Sequence, residues 1–142
     1  MKKLLSVLIS AVMLMGTSVT AYADPEPEIP VEPGIIEEHQ YTASANSSLS
    51  ISNNTATCKS VIRGFSSLAT KIEITQTLQE TFGGISWYYV ASWNNTFYDW
   101  YAMYTNTKNP ISGGNYRVKT VAKVYSGSDY ETITLYSTTV TY

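Results

Sequence analysis

YRVKTVAKVY, residues 116–125, decides the fold of this chain. Tyr116, Val118, Thr120, Ala122 and Val124 alternate with Arg117, Lys119 and Lys123. That period of two places one set on a buried face and the other toward water, which is a half-buried β-strand. Residues 71–79, KIEITQTLQ, repeat the pattern. There Ile72, Ile74 and Leu78 face one way, and Lys71, Glu73, Thr75, Thr77 and Gln79 the other. Gln76 interrupts the apolar row.

Working outward, Ser48 to Ser52 alternates through Leu49 and Ile51, and Asn53-Asn54 is a turn signal. Thr57 to Phe65 sets Cys58 and Ile62 against Lys59 and Arg63 and ends near Gly64. Ile85–Trp93 and Thr96–Thr105 read as two aromatic-rich strands, with Asn94-Asn95 as a two-residue hairpin turn between them. Pro110 and Gly113-Gly114 mark the next loop, and Ser126 to Asp129 another hairpin loop. Tyr130 to Tyr142 reads as one long Thr- and Tyr-rich final strand. No segment favours a helical period, and β-branched and aromatic residues dominate. The expected fold is all-β: an immunoglobulin-like β-sandwich of about seven antiparallel strands. Tyr116, just after Gly113-Gly114, suits a tyrosine corner, its hydroxyl returning to the backbone upstream. Cys58 and Val118 fall where antibody domains place their bridging cysteines, so simple packing is expected between them.

The first residues carry a destination. Lys2 and Lys3 precede an apolar run from Leu4 to Met15, and Ala21-Tyr22-Ala23 closes it as small-x-small. This is the layout of a secretory signal peptide over residues 1–23. The run is shorter than the ~20 residues that span a bilayer. No second apolar run follows, so no membrane span is expected after cleavage. No Cys follows the run for acylation, and Thr141-Tyr142 carries no sorting tail. Release, or non-covalent retention at the cell surface, is expected.

Residues 24–44 read as an acidic, Pro-rich linker, either spacer or propeptide, and 45–142 as the single domain. Asp24, Glu26, Glu28, Glu32, Glu37 and Glu38 stand among Pro25, Pro27, Pro30 and Pro33 with no Lys or Arg between Asp24 and Tyr41. The whole chain carries a net charge of −2, but from Tyr41 onward seven Lys or Arg face five Asp or Glu. No basic stripe interleaved with aromatics stands out along the chain, so nucleic acid is not the expected partner. Cys58 is the only cysteine and excludes an internal disulfide. A buried thiol is the simplest reading of it.

The stretches TCKSVIRG (57–64), TKIEITQTLQ (70–79), GGNYRVKTVAKVYSG (113–127) and TITLYSTTVTY (132–142) resemble a family of small exported proteins of Gram-positive bacteria. These have a signal peptide, a short linker and one domain of unknown function. Gly114, Tyr116 and Val118 are the most specific part. The resemblance implies an immunoglobulin-like fold and an extracellular setting; it carries no activity, ligand or site residue.

Catalytic machinery is sparse. His39 is the only histidine, and no Cys-His pair, nucleophile motif or metal-ligand cluster is evident. No catalytic residue, metal site or cofactor is expected. A glycosidase pair would have to come from Glu73, Glu80, Asp99, Asp129 and Glu131, which scatter over strands and loops. The expected hairpin offers more. Its face of Ile85, Trp87, Tyr89, Ala91, Trp93, Tyr98, Trp100, Ala102 and Tyr104 is expected to be core. That leaves Tyr88, Phe97 and Tyr101 as an exposed patch beside Val90, with Trp93 at the hairpin tip. Such rings suit stacking on sugars or docking on a protein; plain structural surface is the competing reading. The sequence therefore points to an exported, non-enzymatic binding or surface-interaction module, with glycan or cell envelope among the ligand classes. A small secreted hydrolase and a structural envelope component stand as the alternatives.

Overall fold

The computed structural model describes residues 39–142. Residues 1–23, read as a signal peptide, and nearly all of the segment read as a linker lie outside the described residues. Eight strands form among them: β1 (Thr42–Ser52), β2 (Thr55–Gly64), β3 (Lys71–Thr81), β4 (Tyr88–Phe97), β5 (Tyr101–Lys108), β6 (Asn115–Ser126), β7 (Asp129–Tyr136) and β8 (Val140–Thr141). All pairings are antiparallel. One sheet has the order β1-β2-β5 and the other β4-β3-β6-β7, with β8 added on β6. The chain crosses between sheets after β2, β4 and β5, giving the β-sandwich that the alternating pattern demands. β1 starts at Thr42, so the first strand takes in the last three residues of the segment read as linker.

The strands follow their pattern where a clean period of two exists. β6 alternates buried and half-buried without a break, and Val118, Thr120, Ala122 and Val124 are sealed from water. Asn53 and Asn54 both take positive φ, 50° and 58°, the two-residue turn that joins β1 to β2. Gly64 closes β2 where the chain folds back on itself: a Cβ there would lie 2.2 Å from that of Ala69.

Asn94-Asn95 behaves otherwise. No hairpin forms there; both residues lie inside β4, opposite Thr75 and Ile74 of β3. Neither has positive φ. The register explains why: Phe97, Trp93 and Ala91 oppose Ile72, Gln76 and Leu78, so staying on β3 carries their side chains over the core. The chain leaves only at Tyr98–Trp100, where Asp99 Oδ1 accepts the Trp100 N–H at 2.6 Å, and enters the opposite sheet as β5. The expected core face also dissolves. Trp87 and Ala102 are buried, but Ile85, Tyr89 and Tyr98 are 83, 62 and 84% exposed. A bulge between Leu78 and Gln79 resets the phase of β4, so Tyr89 no longer shares a face with Trp93.

The final strand is likewise two. Ser137 breaks it: its N–H donates to Val118 O at 2.9 Å, and its Oγ accepts the Val118 N–H at 2.8 Å. A side-chain oxygen thus replaces a ladder carbonyl, and pairing resumes only at β8. Tyr142 then exchanges backbone bonds with Gly114 and bonds Asn54 through its hydroxyl.

Between the sheets lie two apolar clusters. One holds Ile62, Ile72, Ile74, Val124 and Ile133; the other holds Leu49, Cys58, Leu78, Ile111, Tyr116 and Val118. Tyr116 OH donates to Ser112 O at 2.8 Å, which completes the tyrosine corner. Cys58 and Val118 share the second cluster, both fully buried. A polar belt runs between the clusters, and Gln76 is its centre. Its Nε2 donates to Ser60 Oγ at 2.8 Å and to Tyr104 O at 3.3 Å, and its Oε1 accepts from Asn106 at 3.0 Å. Thr120 continues the belt through Ser60 at 2.7 Å and Ser47 at 2.9 Å. The polar break in the apolar row of β3 is therefore a fully bonded group, as a buried amide requires.

Candidate ligand-binding face

The structure separates the four residues expected to bind together. Tyr88 is 42% exposed and sits at the start of β4, its ring 6.1 Å from that of Phe82. Trp93 is not at a hairpin tip; it is partly buried against the Leu78–Val118 cluster. Phe97 is partly buried against the other cluster and meets Tyr104 edge-on at 5.9 Å. Both turn inward because their β3 partners, Gln76 and Ile72, do. Tyr101 belongs to the other sheet, with Arg63 5.2 Å above its ring.

A different face brings cations and rings together: the outer surface of the β4-β3-β6-β7 sheet. The outward residues of β6 are Arg117, Lys119, Val121, Lys123 and Tyr125. Pairing sets Tyr136 of β7 beside Lys119, and Tyr130 beside Tyr125. On β3, Gln79 lies beside Arg117 and Lys71 beside Tyr125. Two cation–ring groups result. In the first, the Arg117 guanidinium lies 4.1 Å from the Trp87 ring and 4.2 Å from the Tyr136 ring, while its Nε donates to Gln79 Oε1 at 2.9 Å. In the second, Lys71 lies 3.8 Å from the Tyr125 ring, Lys123 lies 5.1 Å from the Tyr130 ring, and the two Tyr rings are 5.1 Å apart. Eight steps along β6 lead from Arg117 to Tyr125, about 27 Å of extended chain. The floor between them is Thr75 and Thr77 of β3, Ser92 and Asn94 of β4, and Thr132 and Thr134 of β7.

Charge on this face is lopsided. Lys71, Arg117, Lys119 and Lys123 stand there against Glu73 alone. Lys71 bonds Glu73 at 3.0 Å, and Tyr125 OH donates to the same carboxylate at 2.9 Å. Those two bonds hold the Glu73 carboxyl below its ordinary range, and the Glu73 carboxylate raises Lys71 and Tyr125 in turn. Chemically, the face can pair with anions through its cations, stack rings on its aromatics and hydrogen-bond through its hydroxyl floor.

Other carboxylates hold the fold. Glu131 accepts the N–H groups of Gln40 and Tyr41, both at 2.9 Å, and so fixes the incoming chain to β7. Burial works against its ionisation, but the Tyr41 and Gln40 N–H groups, with Thr42 close by, outweigh it and lower its pKa. Among the described residues no three of His, Cys, Asp and Glu converge as a metal site, and no helix is long and apolar enough to cross a membrane.

The sequence showed Arg117, Lys119 and Lys123 on one side of a strand, and that was the available signal. Trp87, Tyr130 and Tyr136 were missed as their neighbours, because only sheet pairing brings these segments together. Searches against family profiles, curated proteins and solved structures return no match for this chain.

Proposed function

We propose that this protein is an exported, non-catalytic binding module that takes an anionic, hydroxyl-rich ligand, an acidic glycan of a cell envelope, on the outer face of its β4-β3-β6-β7 sheet. One observation carries the reading: Arg117 is held between the Trp87 and Tyr136 rings at the head of a row of cations. Rings supply stacking area at low entropic cost, cations supply long-range attraction, and the Thr, Ser and Asn floor suits sugar hydroxyls. A hydrolase would need an available pair of carboxyl groups. Here Glu73, Asp99 and Glu131 each hold a neighbouring group in place, and the other two, Glu80 beside Tyr116 and Asp129 beside Ser126, lie at opposite ends of β6.

The test is binding of a uronic-acid oligosaccharide by calorimetry at low salt. Lys123→Gln and Tyr136→Ala are each expected to weaken it about tenfold, roughly 1.4 kcal/mol. Met103→Ala, on the outer face of the other sheet, should leave it unchanged. Equal binding by all four proteins, or binding indifferent to salt, overturns the reading.

A further inference from the structure

The cationic face has a complementary segment in its own chain. Residues 24–38 carry six carboxylates, four prolines and no Lys or Arg. The chain arrives at Gln40 and Tyr41, pinned by Glu131 of β7. β7 is the edge strand of the sheet in question, and its Tyr130 and Thr132 already face outward on that sheet. One strand width, ~4.8 Å, separates β7 from the cationic row of β6.

Length also fits. Fifteen residues of Pro-rich chain span about 46 Å in the polyproline conformation, against the ~27 Å between the two cation–ring groups. The order of charges matches as well. Glu131 points to the inner side of β7, so the segment would turn round that edge; laid back along β7 from there, Glu37 and Glu38 would come nearest Lys123, Glu32 the middle, and Glu26 and Glu28 Arg117. Proline-rich segments dock on aromatic-lined surfaces because their extended form is already set, so little entropy is lost on binding. Tyr130 and Tyr125 provide such rings at one end of the path and Tyr136 at the other, while the buried Trp87 backs Arg117.

We infer that the acidic segment 24–38 docks in cis on the outer face of β6 and β7 and competes there with external anions. This rests on the proposed binding face, and it adds regulation: the segment lowers the apparent affinity by the fraction of time it occupies the face. Glycans of high charge density would displace it, while weakly charged ones would not.

Zero-length carbodiimide coupling of the exported chain tests the docking without any external ligand. Expected are intramolecular links from Glu32, Glu37 or Glu38 to Lys119 or Lys123, read by mass spectrometry, independent of protein concentration and lost in 1 M salt. Links only to Lys59 or Lys108, links only between two copies, or none, overturn the docking. A variant with Glu26, Glu28, Glu32, Glu37 and Glu38 all changed to Gln then tests the competition. It should bind the uronic-acid oligosaccharide ~3–10-fold more tightly than the unaltered chain. Links without glycan binding by either protein would sink the proposed function and leave the docking standing. Glycan binding equal in both proteins would sink the competition alone.

Discussion

Replacing Gln76 by Met should lower the stability of this domain measurably, although Met is the more hydrophobic residue and fits a similar volume. The side chain is fully buried and makes three hydrogen bonds, with Ser60, Tyr104 and Asn106. Each contributes about 1 kcal/mol net, so their loss amounts to about 3 kcal/mol. Greater apolar burial by Met offsets about 1 kcal/mol of that. The remainder, about 2 kcal/mol, corresponds to a fall in Tm of roughly 8–16 °C for a domain near 100 residues. Gln76→Ala should cost more, about 4 kcal/mol, because a cavity is added to the lost bonds. Calorimetric unfolding of the three proteins reads both effects. If Gln76→Met unfolds within a few degrees of the parent, or above it, the belt contributes nothing net and the reasoning fails.

Cys58 should resist thiol reagents until the sandwich opens. Burial pushes its thiol up to about 12, so roughly one molecule in ten thousand carries a thiolate at pH 8; labelling of native protein as fast as of protein in denaturant would refute this. Glu131 should make the attachment of the incoming chain acid-sensitive. Its folded pKa lies below the ordinary 4.5, so the unfolded state binds the more protons between the two values. Its stabilisation is complete above about 4.5 and lost as pH falls through the folded value. Exchange protection of the Gln40 and Tyr41 amides should vanish below that range in the parent and at every pH in Glu131→Gln; protection retained in the variant would show that other contacts hold the chain.

Features decided within one strand or one turn were readable from the sequence. The alternation in β6, the Asn53-Asn54 turn and the position of Tyr116 all depend on residues a few places apart. Asn94-Asn95 shows where that reading stops. The same dipeptide makes a turn at one site and continues a strand at the other, because Ile72, Gln76 and Leu78 of a different strand hold Ala91, Trp93 and Phe97 over the core. Gln76 could not be explained locally for the same reason: its partners lie on β2 and β5. The candidate face was half legible. Its cations share one strand, but the Trp87 and Tyr136 rings that enclose Arg117 come from distant segments. The bulge at Leu78/Gln79, which no turn residue announces, then turned Tyr89 out and undid the expected aromatic core face.

The fastening of Tyr142 to Gly114 and Asn54 has a mechanical consequence. The chain comes in beside Glu131 at the end of the sandwich that holds the 65–70 loop, and Tyr142 sits at the other end, beside the Asn53-Asn54 turn. Tension between these two points therefore runs along the strands. Ladder bonds lie across that direction, so a pull loads the whole β1–β2 pairing in shear instead of opening it one rung at a time. A domain tethered between a surface and a moving load would be governed by its unfolding rate under such force, and with no disulfide to share the strain that rate would rest on the ladder bonds alone.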